Sequence, residues 1–224
     1  MSANLIALLW NSTLQTIYMV VISGLIATVI GLPLGVFLAT SKRGELLSAP
    51  VVNAALGLIV NAMRSVPFII LVVAIIPLTR LIAGTSIGTT AAIVPLTLAA
   101  APFIARIVET SIREVDGGLI EAARAMGAAP GQIISKVLLP EALPGIVLGL
   151  TLAIVSLIGY SAMVGAVGGE GLGDLGIRYG YQRFMPDVML AVVVILIVLV
   201  QAVQSLGEFI ARRLDHRAAK DRGL

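Results

Sequence analysis

Long apolar runs alternate with short polar breaks along most of this chain. Five runs, at about 14–40, 52–79, 91–112, 145–167 and 186–210, reach the length at which a helix crosses a hydrocarbon core, roughly 20 residues. Short segments of alternating polarity, the mark of a membrane β-barrel, do not occur. The pattern therefore predicts an all-α polytopic membrane protein with five transmembrane helices.

Composition agrees. Hydrophobic residues make up 58% of the 224 positions and charged residues only 12%, against about a quarter in soluble domains. Mean hydropathy is +1.06. The net charge of +3 raises the question of nucleic acid, but the placement of the cations answers it. With five spans threaded, Lys42, Arg43, Arg106, Arg113, Arg124, Lys136 and the tail cations Arg212, Arg213, Arg217, Lys220 and Arg222 share one side. Arg80, Arg178 and Arg183 fall opposite, and Arg64 lies within span two. The positive-inside bias then puts the amino terminus outside and the carboxyl terminus in the cytoplasm. A basic tail beside a membrane serves topology and anionic lipid, so no nucleic-acid partner is expected. The chain divides into an outer interfacial segment, 1–13, a membrane domain, 14–210, and a basic cytoplasmic tail, 211–224. Cysteine is absent, which removes disulfides and thiolate metal sites.

The spans carry several irregularities. Gly31-Leu-Pro-Leu-Gly35 in span one offers small residues for close helix approach, with Pro33 as an expected kink. Pro95 and Pro102 do the same for span three. Arg64 has two readings: a charge deep in the membrane facing protein or water, or a side chain reaching back to the inner headgroups. Gly171-Leu-Gly-Asp-Leu-Gly176 fits GxGxxG, but between two membrane helices it reads as an outer loop, not a dinucleotide site. In span four, Tyr160 and Met163 are candidates for an apolar passage, with ordinary helix packing as the alternative.

Between spans three and four, residues 116–144 switch to short amphipathic helices. Asp116 is placed to cap the first, in which Leu119, Ile120, Ala123 and Met126 recur at helical spacing. Gly127 can end it with positive φ. Pro130 suits the first turn of a second helix, 131–139, stopped by Pro140. Lipid-surface helices favour large apolar and many basic residues. This face is rich in alanine and carries both Glu121 and Arg124, so it reads as a protein-docking elbow.

Glu121-Ala122-Ala123, Gly127, then Val137-Leu-Leu139-Pro140 resembles the EAA signature of ABC importer permeases, E-A-A-x3-G-x9-I-x-L-P, with Val137 in place of Ile. The stretches Arg64–Ile70, Gly84–Gly88, Ala101–Arg106, Lys136–Pro144 and Gly159–Met163 are similar to the methionine branch of that family. The resemblance implies a type I ABC importer permease in the bacterial inner membrane, with the 116–144 loop docking an ATPase. It implies partners: a second copy of the chain, two ABC ATPase subunits, an extracytoplasmic methionine-binding protein and membrane lipid. ATP and magnesium belong to the ATPase; this chain has no G-x-x-x-x-G-K-[ST] loop and is expected to hold no cofactor and to be no enzyme. L-methionine, and D-methionine with it, is the implied cargo, transport of another amino acid the alternative. An ion-driven carrier would show intramembrane carboxylates, and Glu109 sits near an inner end instead.

Overall fold

The computed structural model describes residues 3–215, and every regular element in it is helical. In chain order these are α1 (Ala3–Thr40), α2 (Pro50–Ser65), α3 (Phe68–Ala74), α4 (Ile76–Ala83), α5 (Thr89–Arg113), α6 (Gly117–Ala125), α7 (Pro130–Ile133), α8 (Leu139–Ala166), α9 (Gly171–Leu175) and α10 (Pro186–Leu214). Wide π-type turns at Ile134–Leu138 and Gly176–Tyr181 join α7 to α8 and follow α9. Among the described residues four helices are long and apolar enough to cross a membrane, and five if the bent pair α2 and α3 counts as one span.

Helix α5 is the hub. Of its most apolar stretch 67% is buried inside the chain, against 11% for α10, which leaves most of α10 to lipid or to other chains. The α1–α5 seam is as close as the small residues of span one predict. A Cβ added at Gly31 would lie 2.7 Å from the Ala101 carbonyl oxygen, and one at Gly35 would lie 2.6 Å from Val108 Cβ. Even alanine must push the helices apart there, at a cost of about 1–3 kcal/mol. Gly35→Ala should therefore lower the unfolding midpoint of the purified chain in detergent, and an unchanged midpoint would refute this close packing.

The spans differ from the sequence expectation at their prolines. Span two does not run straight from 52 to 79: the chain turns by 102° between α2 and α3, at Val66-Pro67. Val66 takes the extended backbone imposed on a residue preceding proline, with ψ 125°. Pro140, by contrast, stops nothing. Leu139 N–H reaches back to the Ile134 carbonyl, and the widened turn makes room for a residue without an N–H, so one helical rod runs from Pro130 to Ala166. Pro33, Pro95 and Pro102 lie inside unbroken helices. The glycine-rich 171–176 stretch is likewise helix and not loop, and Gly165 and Gly173 let α8 and α9 meet backbone to backbone.

At about 57 Å for 38 residues, α1 exceeds the roughly 30 Å hydrocarbon core. Its backbone continues without a break through residue 13. Leu9 is buried there against Leu172, Leu175, Val188 and Val192, while Trp10 is exposed. The basic tail starts in the last turn of α10 with Arg212 and Arg213; residues 216–224 lie outside the described residues.

Candidate functional site

The elbow is built by local chemistry that its sequence spells out. Asp116 Oδ1 accepts the Gly118 N–H at 2.7 Å and so caps α6. At the other end Gly127 sits at φ +78°, with its N–H donating to the Arg124 carbonyl at 2.9 Å and the Ala128 N–H to the Ala123 carbonyl at 3.1 Å. That pair of bonds is a Schellman closure, which favours glycine at the left-handed position. Gln132 Oε1 then accepts the Ala129 N–H at 3.0 Å and starts α7.

The elbow has an anchored face and a free one. Ala123, Ile133 and Leu138 are buried in the main core, with Ile120, Ala128, Val137 and Leu139 packed against it. Glu121, Ala122, Arg124, Gly127 and Pro140 are exposed, and Met126 projects with 82% of its surface free. Of the residues in the sequence signature, Ala123, Val137 and Leu139 thus hold the elbow to the chain, and the others are offered outward.

A charged network, not foreseen from sequence, ties the elbow's root to two other spans. Glu109, 6% exposed near the C-terminal end of α5, pairs with Arg106 and with Arg113, the latter at 3.1 Å. Arg113 also reaches Glu45 at 3.1 Å and the Leu38 carbonyl at 2.9 Å. Arg106 binds Asn61 Oδ1 at 2.8 Å and the Gly57 carbonyl at 3.2 Å. Asn53, buried, bonds the Leu38 carbonyl and Ser41 Oγ, both at 2.9 Å. The elbow-side ends of α1, α2 and α5 are therefore stapled together one turn before the elbow begins.

The two path candidates Arg64 and Tyr160 meet in one cavity of about 240 Å³, walled also by Met63, Phe68, Ala99 and Phe103. The Tyr160 and Phe68 rings stack with centroids 4.4 Å apart and planes 13° from parallel. The Arg64 guanidinium carbon lies 5.8 Å from the centroid of the Phe103 ring, within cation–π range. Met163, the third candidate, is not in that wall; it is exposed on α8 a turn further along.

The described residues thus form an apolar helical bundle with an exposed elbow between α5 and α8, the architecture of a multi-pass membrane protein. The model of the family described as binding-protein-dependent transport system inner membrane component matches residues 31–219, and the chain belongs to that family. It is 57% identical over 210 residues to the "Probable D-methionine transport system permease protein MetI" of Vibrio cholerae, covering 94% of this chain and 93% of that one. It is 53% identical to the D-methionine transport system permease protein MetI of Escherichia coli K12, over 74% of this chain and 76% of that one. Among solved structures, a chain of the MetNI methionine ABC transporter in an inward-facing conformation superposes with a TM-score of 0.94 at 50% identity, covering 96% of this chain and 100% of that one. An amino acid ABC transporter crystallised with histidines superposes at 0.74 with 21% identity, which speaks to the fold alone.

Proposed function

We propose that the chain is the membrane path of an ATP-driven methionine importer. Two copies would enclose the path, two ATPase subunits would dock on the elbows, and an extracytoplasmic binding protein would deliver methionine, L or D, at the outer ends. The observation that carries this reading is the elbow, anchored by Ala123, Ile133 and Leu138 and presenting Glu121, Ala122 and Gly127 outward, in a chain 57% identical to a methionine permease. ATP and magnesium act in the ATPase subunits.

The geometry supplies a mechanism for coupling. Closure of the ATPases on nucleotide moves the docked elbow. The elbow is fused to α8 without a break, since Pro130–Ala166 is one rod, and it follows α5 by only three residues. Displacement therefore tilts α5 and α8 directly, through Arg113 it carries α1 along and through Arg106 it carries α2. Rigid helices tilting about a fixed seam expose the path to alternate sides. Tyr160 and Arg64 stand on the wall of that path, with Met163 beyond them toward the outer end of α8. The cation distribution supports an amino terminus outside and a carboxyl terminus in the cytoplasm.

Proteoliposomes holding this chain with its ATPase and binding protein should accumulate labelled L-methionine and D-methionine only when ATP is present. Accumulation without ATP would replace the importer by an ion-driven carrier, and ATP-dependent uptake of a different amino acid only would overturn the choice of cargo.

A further inference from the structure

Arg64 is a charge without a counter-charge. Arg106, Arg113, Arg178 and Arg212 each pair with a carboxylate, whereas no carboxylate of the described residues pairs with Arg64. Its neighbour Phe103 lies about 15 Å from the inner end of α5 and about 21 Å from the outer end, at 1.5 Å per residue. With a hydrocarbon core about 30 Å thick, that places the guanidinium well inside the membrane and away from headgroup phosphates. A charge at such depth costs about 3 kcal/mol on insertion scales and is normally retained for a task.

The chain carries no carboxylate at this level of its own spans that a second copy could supply. The described carboxylates other than Glu109 lie toward the inner end, with Glu45, Glu114, Asp116, Glu121, Glu141, Asp215 and Glu208, the last paired with Arg212, or at the outer end, with Glu170, Asp174 and Asp187. Glu109 is already shared by two arginines. The compensating anion must therefore enter from outside the protein.

The cavity describes that anion. Phe103 holds one face of the guanidinium by cation–π contact and leaves its N–H edge open, the edge that grips a carboxylate with two parallel bonds. The remaining wall is the stacked Phe68–Tyr160 pair with Met63, Val66, Leu71 and Ala99, which sets polarizable rings and aliphatic groups beside the guanidinium. Its volume of about 240 Å³ falls below the roughly 300–1,000 Å³ of drug-sized pockets, which suits one amino acid and no peptide. Aromatic ring edges also make favourable contacts with thioether sulfur. We propose that Arg64 is the anion anchor of the path and holds the α-carboxylate of the amino acid in transit, while the Phe68–Tyr160 stack takes its side chain. This assignment rests on the amino-acid import reading above and names the group within the membrane that recognises the cargo.

The test uses the complete transporter in proteoliposomes and compares uptake of methionine with uptake of its carboxamide. Each rate is divided by the affinity of that compound for the binding protein, which removes selection made before the membrane. Wild type should still prefer the acid by about tenfold or more, because a site built for a polar group discriminates strongly against its loss. Arg64→Gln should bring that preference to within about twofold. Where the glutamine complex fails to assemble, Arg64→Lys serves instead. It keeps the charge but not the fork, and should retain the preference at several-fold lower strength. A preference unchanged by either variant overturns the proposal, and reduced uptake with an unchanged preference does so too, leaving Arg64 to packing or to lipid phosphate. Wild type that carries no methionine sinks the choice of cargo but not the anchor. The acid-to-amide comparison is then made with the amino acid that it does carry.

Discussion

A chain carrying Gly127→Asp is expected to reach the membrane in normal amounts and to leave detergent extraction without its ATPase. Gly127 ends α6 at φ +78°, and a Cβ added there meets nothing within 4 Å. The substitution therefore costs the chain itself only backbone strain, about 1–2 kcal/mol. In the proposed docking the open space beside that Cβ is where the ATPase groove closes, and a charged side chain would stand in it. Loss of a central interface contact costs 2 kcal/mol or more, which is about thirtyfold in affinity. Glu121→Lys reverses a charge on the same exposed face and should act in the same direction. Gly84→Asp separates docking from strain: Gly84 has φ +73° and equally open surroundings, but it ends α4 at the opposite side of the membrane. It should keep the ATPase bound. The ratio of ATPase to permease after affinity purification reads all three, and a normal ratio in the Gly127 and Glu121 variants would end the docking assignment.

The elbow was legible in the sequence because its determinants are local. A capping aspartate, a positive-φ glycine and an apolar stripe lie within a dozen residues, and Asp116, Gly127 and Ala123 take the places such chemistry dictates. Length and apolarity were enough for four of the five spans, but not for span two, which bends by 102° between α2 and α3. The prolines were not legible, since one residue type gives opposite outcomes. Pro67 breaks a span because Val66 turns extended, while Pro140 is passed by a π-type turn whose wider loop depends on five residues before it. Pro95 and Pro102 sit in a helix packed on several sides, where neighbours hold the rod straight enough to continue. Tertiary support decides between these fates, and no short window contains it.

The Glu109 network was hidden for a different reason. Its members lie at positions 38, 45, 57, 61, 106, 109 and 113, on α1, α2, α5 and the α1–α2 loop. Leu38 and Gly57 join through backbone carbonyls, and each of the others alone reads as a charge or polar residue near a helix end. The one available signal was the i, i+3 and i, i+4 spacing of Arg106, Glu109 and Arg113, which puts all three on a single helix face. What that face meets is known only once α1 and α2 are packed against it.

Removing the shared carboxylate should be the most damaging single change inside the bundle. Glu109→Leu leaves two guanidinium groups near the core with their principal anion gone, and Arg106 then keeps only Asn61 and the Gly57 carbonyl. Breaking one side of a buried pair costs about 3–5 kcal/mol. The lower end applies here, because Arg106 and Arg113 remain 25% and 32% exposed and Arg113 retains Glu45 and the Leu38 carbonyl. The unfolding midpoint in detergent should fall well below that of Gly35→Ala. Glu109→Gln, which keeps an acceptor oxygen without the charge, should lose less. Adding Arg106→Leu to Glu109→Leu removes a stranded cation and should return part of the loss, a non-additivity that marks residues sharing one network. Strictly additive losses, or a Glu109→Leu midpoint equal to wild type, would mean that the inner ends of α1, α2 and α5 are held by apolar packing alone. The elbow would then have no charged staple through which to move α1 and α2.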